Sequence, residues 1–134
     1  MNVLFLCTGN SCRSQIAEAF GRRYVATGHR VWSAGISPQG INPRTMETME
    51  EVGVSLDDQH SKDLDEVPVA ELDLVVTLCG HAEENLPTQL EAIRREHWDL
   101  EDPADAKGDH ESVKGVFRAT RIDIEDRISQ LFSA

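Results

Sequence analysis

The stretch that decides the fold, residues 3–20, reads VLFLCTGNSCRSQIAEAF. Its first four residues are apolar and predict a buried strand that leads into Cys7, and its last part predicts a helix from about Ser14. The short polar loop between them contains Gly9, which can adopt backbone angles that are closed to other residues. Because such a loop joins the carboxyl end of a strand to the amino end of a helix, its N–H groups can converge on an anion.

Two side chains give this loop its chemistry. Arg13 supplies a planar guanidinium that suits two oxygens of a tetrahedral oxyanion. We expect the same positive field to stabilise the thiolate form of Cys7. A thiolate aimed at the central atom of a bound oxyanion is suited to nucleophilic substitution there. The alternative, a small core cysteine at a strand end, does not account for the order of strand, glycine loop, arginine and helix.

Composition limits the possible partners and location. The chain has 134 residues, which predicts one domain over 1–134. Its formal net charge of −11 makes nucleic acid and anionic membrane poor partners. No apolar run approaches a membrane span, and the amino end lacks a signal-peptide pattern. Three cysteines, an odd number, argue against a disulfide scaffold, so we expect a cytoplasmic protein.

Strands and helices alternate along the chain. This pattern predicts a three-layer α/β sandwich with a central, mainly parallel four-stranded sheet. The expected strands are residues 2–6, 30–34, 72–78 and 95–98, and the expected helices are 14–27, 43–53 and a short one within 79–92. After a loop at 99–109, a long carboxyl-terminal helix is expected from its apolar stripe of Val113, Val116, Phe117, Thr120, Ile124, Ile128 and Leu131. Gly28 is expected to end the first helix, and helical spacing assigns Tyr24, Met46, Met49 and Val52 to core-facing stripes.

The motif CTGNSCRS at residues 7–14 resembles the phosphate-binding loop of low-molecular-weight protein tyrosine phosphatases. It also resembles that of the arsenate reductases that share their fold. Gln15 favours the reductases, since the phosphatases usually carry proline there. Further matches are Ser33-Ala34-Gly35, Asn42-Pro43, Glu51-Val52-Gly53, Val75–Gly80, Glu96-His97-Trp98 and Asp102-Pro103-Ala104. The resemblance implies an oxyanion site formed by Thr8, Gly9, Asn10, Ser11, Cys12, Arg13 and Ser14, without a cofactor.

The Asp102-Pro103 pair resembles the general acid that this family carries opposite its nucleophile. The alternative is that Asp102 only starts a turn before proline. In the phosphatases, aromatic residues that grip a phosphotyrosine ring usually follow this pair, whereas Ala104 follows here. This difference favours a small inorganic substrate.

Cys79 follows the most strand-like run of the chain. We therefore expect it at the same sheet edge as Cys7. By the resemblance it is the second thiol of a reductase, which attacks the arsenic adduct of Cys7 and leaves a Cys7–Cys79 disulfide. The alternative is a buried inert cysteine.

The position of a third redox cysteine departs from the known branches of the family. Thioredoxin-coupled members carry it where this chain has Leu86, and glutaredoxin-coupled members where it has His81. The donor, thioredoxin or glutathione with glutaredoxin, is left open, and Leu86 is either a natural departure or an engineered replacement. Cys12 either forms a reversible disulfide with Cys7 or only packs the loop.

The sequence predicts no bound metal. Glu18 and Ser33 match two potassium-ligand positions of some relatives, but the third, an acidic residue there, aligns with Lys62, whose ammonium can replace the ion. The sequence thus predicts an arsenate reductase for which phosphate and sulfate compete with arsenate. The rivals are a phosphatase that forms a Cys7 phosphocysteine, and a non-enzymatic oxyanion-binding or thiol-sensing module.

Overall fold

The computed structural model describes residues 1–133. Four parallel strands form one sheet in the order β2-β1-β3-β4. The strands are β1 (Asn2–Cys7), β2 (Arg30–Gly35), β3 (Leu74–Thr77) and β4 (Arg94–His97). The α-helices are α1 (Arg13–Tyr24), α2 (Pro43–Glu50), α3 (Gly80–Glu84) and α4 (His110–Leu131), and single 3-10 turns span Leu64–Glu66, Val69–Glu71, Thr88–Leu90 and Pro103–Asp105. The predicted three-layer α/β sandwich is confirmed.

The sequence of each strand explains its place in the sheet. The central strands β1 and β3 are mainly apolar, and Val3, Leu4 and Phe5 are fully buried, as is typical of parallel strands covered on both faces. In contrast, β4 reads Arg-Arg-Glu-His and is largely exposed at the edge of the sheet. Charged side chains on an edge strand disfavour pairing with another chain.

The register of the strands brings two loops together. Cys7 pairs with Gly35 of β2, and Leu6 pairs with Thr77 at the end of β3. The segments that follow β1 and β3 therefore emerge side by side at the carboxyl edge of the sheet, which is where ligands bind in open α/β folds. Cys7 and Cys79 share this edge, as their positions after two strands indicate.

The first helix is shorter than its sequence predicts. It ends at Tyr24, and Val25 already has an extended backbone (φ −69°, ψ 138°). Gly28 lies in the following turn with φ +89°, so it does not end the helix itself. Tyr24 is 39% exposed rather than in the core, and its hydroxyl donates to a Glu125 carboxylate oxygen at 2.8 Å.

The buried stripe of α2 differs from the predicted one. Asn42 caps the helix by accepting from Arg44 N at 2.9 Å, but the helix ends at Glu50. Of the predicted stripe only Met49 is buried, whereas Met46 and Val52 are exposed. Thr45 and Thr48 take their places, because their hydroxyls hydrogen-bond to Ser11 O and to the Arg121 guanidinium.

The carboxyl-terminal helix α4 begins at His110, directly after the loop predicted at 99–109. Asp109 caps it by accepting from Ser112 N at 2.8 Å, and this N–H lowers the pKa of Asp109. Of the predicted core stripe, Val113, Phe117, Ile124 and Ile128 are buried, whereas Val116 is exposed because it lies on the solvent side of the helix. Residues 1–133 contain no helix with the length and apolar character to cross a bilayer.

Candidate active site

The loop between β1 and α1 is held in shape by Asn10. Its φ of +47° is the only positive value at a non-glycine residue within 1–133, a backbone region that asparagine tolerates better than most residues. The buried Asn10 side chain donates to Ser14 Oγ at 2.8 Å and Ser33 Oγ at 2.9 Å, and accepts from Lys62 N at 2.9 Å. These contacts fix the loop before any anion enters it.

Gly35 at the end of β2 lets the loop approach the sheet closely. A Cβ at this position would lie 2.7 Å from Thr8 O and 2.8 Å from Asn10 N, both backbone atoms. No side chain fits at such distances without moving the loop. The glycine in Ser33-Ala34-Gly35 is therefore required by the site and not only by the strand.

Cys7 lies at the floor of the loop and is 3% exposed. Its Sγ is 2.8 Å from Ser14 Oγ. Because Ser14 Oγ already accepts from the amide of Asn10, its own proton is available to the sulfur. The sulfur thus lies beside a hydroxyl donor and close to the N-terminal end of α1.

Arg13 connects the loop to two other segments of the sheet edge. One guanidinium nitrogen, Nη1, donates to Leu78 O at 3.2 Å and to Leu100 O at 2.8 Å. The other, Nη2, lies 3.5 Å from Asp102 Oδ2. The buried guanidinium is therefore held in one orientation, which is needed for a two-pronged contact with an oxyanion.

Asp102 caps a short turn and also faces the cavity. Its Oδ1 accepts from Ala104 N at 3.0 Å and so caps the short turn Pro103–Asp105. Its Oδ2 faces Arg13, and the residue lines the same cavity as Cys7. A capping carboxyl with one oxygen turned into the cavity can donate a proton to a leaving group once it is protonated.

Cys79 precedes α3 and caps it. Its Sγ accepts from Ala82 N at 3.4 Å and lies 3.3 Å from Thr8 Oγ1 of the loop. It is 6% exposed and lines the same cavity as Cys7. The structure thus brings a second free thiol to the rim of the loop.

Cys12 is 5% exposed and packs with Val113 and Phe117 of α4. Burial raises the pKa of its thiol. A thiol that stays protonated is a poor nucleophile. This environment favours Cys12 as a packing residue of the loop.

The cavity in front of the loop has a volume of about 540 Å³. Its lining residues are Cys7, Thr8, Gly9, Ser11, Cys12, Arg13, Gln39, Asn42, Cys79, His81, Asp102, Ala104 and Asp105. This lining contains no Phe, Tyr or Trp, in agreement with the expectation drawn from Ala104 after the Asp102-Pro103 pair. The walls are polar and suit a small anion better than an aromatic ring.

Behind the loop, the ammonium of Lys62 faces a buried carboxylate. Lys62 Nζ is 3.0 Å from Glu18 Oε1, which also accepts from the hydroxyl of Ser33. The other oxygen of Glu18 pairs with Arg22 at 2.7 Å. The positive charge beside Glu18 is therefore supplied by side chains of the protein, Lys62 and Arg22. Within residues 1–133, no group of three or more His, Cys, Asp or Glu is arranged to hold a metal ion.

The loop is also supported by side chains outside the predicted site, and of Gln15, Gln59 and Ser61 only Gln15 was noted in the sequence. Gln15 donates to Asn10 O at 3.1 Å, and Ser61 Oγ donates to Gly9 O at 3.0 Å. Gln59 in turn donates to Gln15 Oε1 at 2.7 Å. Ser61 and Gln59 come from the acidic irregular stretch 54–70, which has no periodicity that could assign them to the site.

Comparison with known proteins agrees with this geometry. The profile of the family described as low molecular weight phosphotyrosine protein phosphatase matches residues 2–134. The chain belongs to this family. Within it, an arsenate reductase of Halalkalibacterium halodurans is 44% identical over 126 residues, which are 94% of this chain and 91% of that protein.

Solved structures point to the same group. An arsenate reductase in its phosphate-binding state has a TM-score of 0.82 and 33% identity, with 98% of this chain and 95% of that chain covered. A thioredoxin-dependent arsenate reductase of Corynebacterium glutamicum has a TM-score of 0.73 and 28% identity, with 97% of this chain and 59% of that longer chain covered.

Proposed function

We propose that this protein is an arsenate reductase that converts arsenate to arsenite and so serves arsenic detoxification. The observation that carries the proposal is the free thiol of Cys79 at the rim of a loop that holds Cys7. A phosphatase uses one thiol at this edge, whereas the two-electron reduction of arsenic consumes two thiols, and Cys79 is placed to be the second. The similarity to arsenate reductases over most of the chain supports the same activity.

In the first step, arsenate binds to the loop N–H groups and to Arg13. The Cys7 thiolate attacks arsenic, an S–As bond forms, and one oxygen leaves as water. The proton for this leaving group comes from Asp102, whose Oδ2 faces the cavity. Arsenic is still As(V) in this adduct.

In the second step, the thiolate of Cys79 attacks Cys7 Sγ. The S–S bond forms, the S–As bond breaks, and its electron pair passes to arsenic, which leaves as arsenite. Overall, one arsenate and two thiols give one arsenite, one disulfide and one water. Phosphate and sulfate, which share the tetrahedral shape of arsenate, compete for the same loop.

An external thiol must then reduce the Cys7–Cys79 disulfide. A thioredoxin-dependent relative favours thioredoxin as the donor, with glutathione and glutaredoxin as the alternative. The three cysteines of the chain are all free and in or beside the loop, which fits a reducing cytoplasm.

A phosphatase acting through a Cys7 phosphocysteine is the second candidate. Cys7, Arg13 and Asp102 are the groups that both reactions use, and the chain belongs to a family described by its phosphatases. The polar cavity without Phe, Tyr or Trp disfavours an aromatic phosphoester as its main substrate.

One pair of assays tests the proposal. The unmodified chain is expected to reduce arsenate with dithiothreitol many-fold faster than it hydrolyses p-nitrophenyl phosphate. Cys79→Ser is expected to stop arsenite release and to retain the phosphatase side reaction, because only the second step uses Cys79. Loss of both reactions in Cys7→Ser is the control. Unchanged arsenite release in Cys79→Ser would refute the proposed role of Cys79.

A further inference from the structure

Thr77 joins α3 to the end of the sheet through a short chain of hydrogen bonds. Its hydroxyl is fully buried and lies 2.7 Å from Glu83 Oε2 of α3 and 2.8 Å from His97 Nδ1 of β4. The hydroxyl has one proton to give. The carboxylate is the better acceptor, because the alternative, Glu96 O, is 3.4 Å away. His97 Nδ1 must then be the donor to Thr77 Oγ1.

Glu83 has a second contact with the sheet. Its Oε1 lies 3.3 Å from Arg95 Nε of β4. The carboxylate is thus held by a buried hydroxyl on β3 and by a guanidinium on β4. None of Thr77, Glu83 and His97 lines the cavity in front of Cys7.

The helix that this chain of bonds holds is the one that Cys79 caps. A disulfide needs its two sulfur atoms about 2.05 Å apart. In the reduced chain, Cys79 Sγ is instead engaged with Ala82 N and Thr8 Oγ1. Cys79 must leave the cap to reach Cys7, and α3 then loses its first-turn contact.

A helix of five residues has little stability of its own. Its position therefore depends on its contacts with the sheet, of which the Thr77–Glu83 bond is the shortest polar one described. We propose that Thr77, Glu83 and His97 form a latch that holds α3 in the reduced chain and limits the rate at which Cys79 reaches Cys7. These three are positioning residues, and the inference rests on the proposed role of Cys79.

The test measures formation of the Cys7–Cys79 disulfide after addition of hydrogen peroxide. The peroxide oxidises the Cys7 thiolate to a sulfenic acid with loss of hydroxide, and Cys79 then displaces a second hydroxide to form the S–S bond. Rapid quenching with an alkylating agent and peptide mapping give the rate. Because no arsenate is present, this rate is independent of reductase activity.

Two variants break the latch, and each has a matched control. Thr77→Val removes the hydroxyl at nearly constant volume, whereas Thr77→Ser keeps it. Glu83→Gln removes the charge, whereas Glu84→Gln makes the same change on an exposed neighbour in α3. We expect disulfide formation about tenfold faster in Thr77→Val, which loses the hydrogen bond to Glu83 altogether. In Glu83→Gln we expect it about threefold faster, because a neutral amide oxygen still accepts from Thr77 but more weakly than a carboxylate does. The two controls are expected within about twofold of the unmodified chain, and p-nitrophenyl phosphate hydrolysis is expected to be unchanged in all four.

Rates in Thr77→Val and Glu83→Gln that equal or fall below that of the unmodified chain would overturn the latch. If the unmodified chain forms no Cys7–Cys79 bond with peroxide, the role of Cys79 and the latch both fail. If the bond forms at a latch-dependent rate but arsenate is not reduced, the latch stands and the proposed function fails.

Discussion

At the residue scale, Asp102 caps a turn with one carboxylate oxygen, and we propose that it acts as the general acid with the other. Oδ1 caps the turn Pro103–Asp105 and Oδ2 faces Arg13 in the cavity. Asn in place of Asp102 keeps an oxygen for the cap but has no acidic proton. The two roles can therefore be separated by a single substitution.

Asp102→Asn is expected to slow the first step by about 10²- to 10⁴-fold, which is the usual range for a lost general acid. The measurement is single-turnover formation of the Cys7 adduct, with p-nitrophenyl phosphate hydrolysis as a second reading. Asp105→Asn, which changes another carboxylate of the cavity lining, is the matched control and is expected to remain close to the unmodified rate. Near-normal kinetics in Asp102→Asn would remove Asp102 as the acid.

Lys62 is the second residue whose role can be isolated. Its ammonium is buried against the fully buried carboxylate of Glu18. Lys62→Met leaves that carboxylate with Arg22 as its charged partner and is expected to lower the free energy of unfolding by about 3 kcal/mol, the low end for breaking a buried pair. Urea unfolding measures the loss.

The role of Lys62 can also be tested with potassium. Exchange of sodium for potassium is expected to leave the free energy of unfolding of the unmodified chain unchanged, because the Lys62 ammonium already contacts Glu18. For the loss of stability in Lys62→Met, the control variant is Arg22→Met. The Arg22 guanidinium is half exposed, so removing its ion pair is expected to lower the free energy of unfolding by about 1 kcal/mol or less. A potassium-dependent stability of the unmodified chain would contradict the replacement.

At the element scale, one carboxylate joins the end of α2 to α4. Glu51 accepts from Arg118 Nη2 at 2.6 Å and from Arg121 Nη1 at 2.9 Å. Hydrogen bonds from Arg118 lower the pKa of Glu51 to about 2, from an ordinary value of 4.5. The folded chain therefore binds this proton less readily than the unfolded chain does.

The sign of the pH dependence follows from this lowered pKa. The stabilisation from Glu51 is fully present above about pH 4.5 and is lost as the pH falls towards 2. Glu51→Gln is expected to be less stable than the unmodified chain at pH 7, and most of this difference is expected to have disappeared at pH 2. Glu50→Gln is the control. Urea unfolding at both pH values measures the difference, and a gap that persists unchanged at pH 2 would contradict the assignment.

At the scale of the whole molecule, the parts that sequence predicts are those with local signals. The strand, loop and helix around Cys7 form one continuous segment, and Cys79 follows an apolar strand, so both thiols could be assigned to one edge. The buried face of α2 could not be predicted, because its buried residues Thr45 and Thr48 are polar and hydrogen-bond to partners far along the chain. The support of the loop by Gln59, Ser61 and Lys62 likewise depends on tertiary contacts without a sequence period.

At the scale of the whole molecule, electrons must also enter from a donor protein. The disulfide that we propose for turnover joins Cys7, which is 3% exposed, to Cys79, which is 6% exposed in the reduced chain. A donor protein has poor access to such a bond. A third thiol at position 86 could attack Cys79, free Cys7 and present the oxidised pair to the donor. Leu86 instead packs partly buried against the core.

We therefore expect the unmodified chain to turn over poorly with thioredoxin as the only donor. Leu86→Cys is expected to raise this activity by at least about tenfold, roughly 1.4 kcal/mol in the barrier. Steady-state rates with thioredoxin, its reductase and NADPH measure the effect, and Leu86→Ser is the control for the lost side chain. Equal rates in the unmodified chain and in Leu86→Cys would mean that the donor attacks the Cys7–Cys79 disulfide, or the arsenic adduct, without a third thiol of the protein.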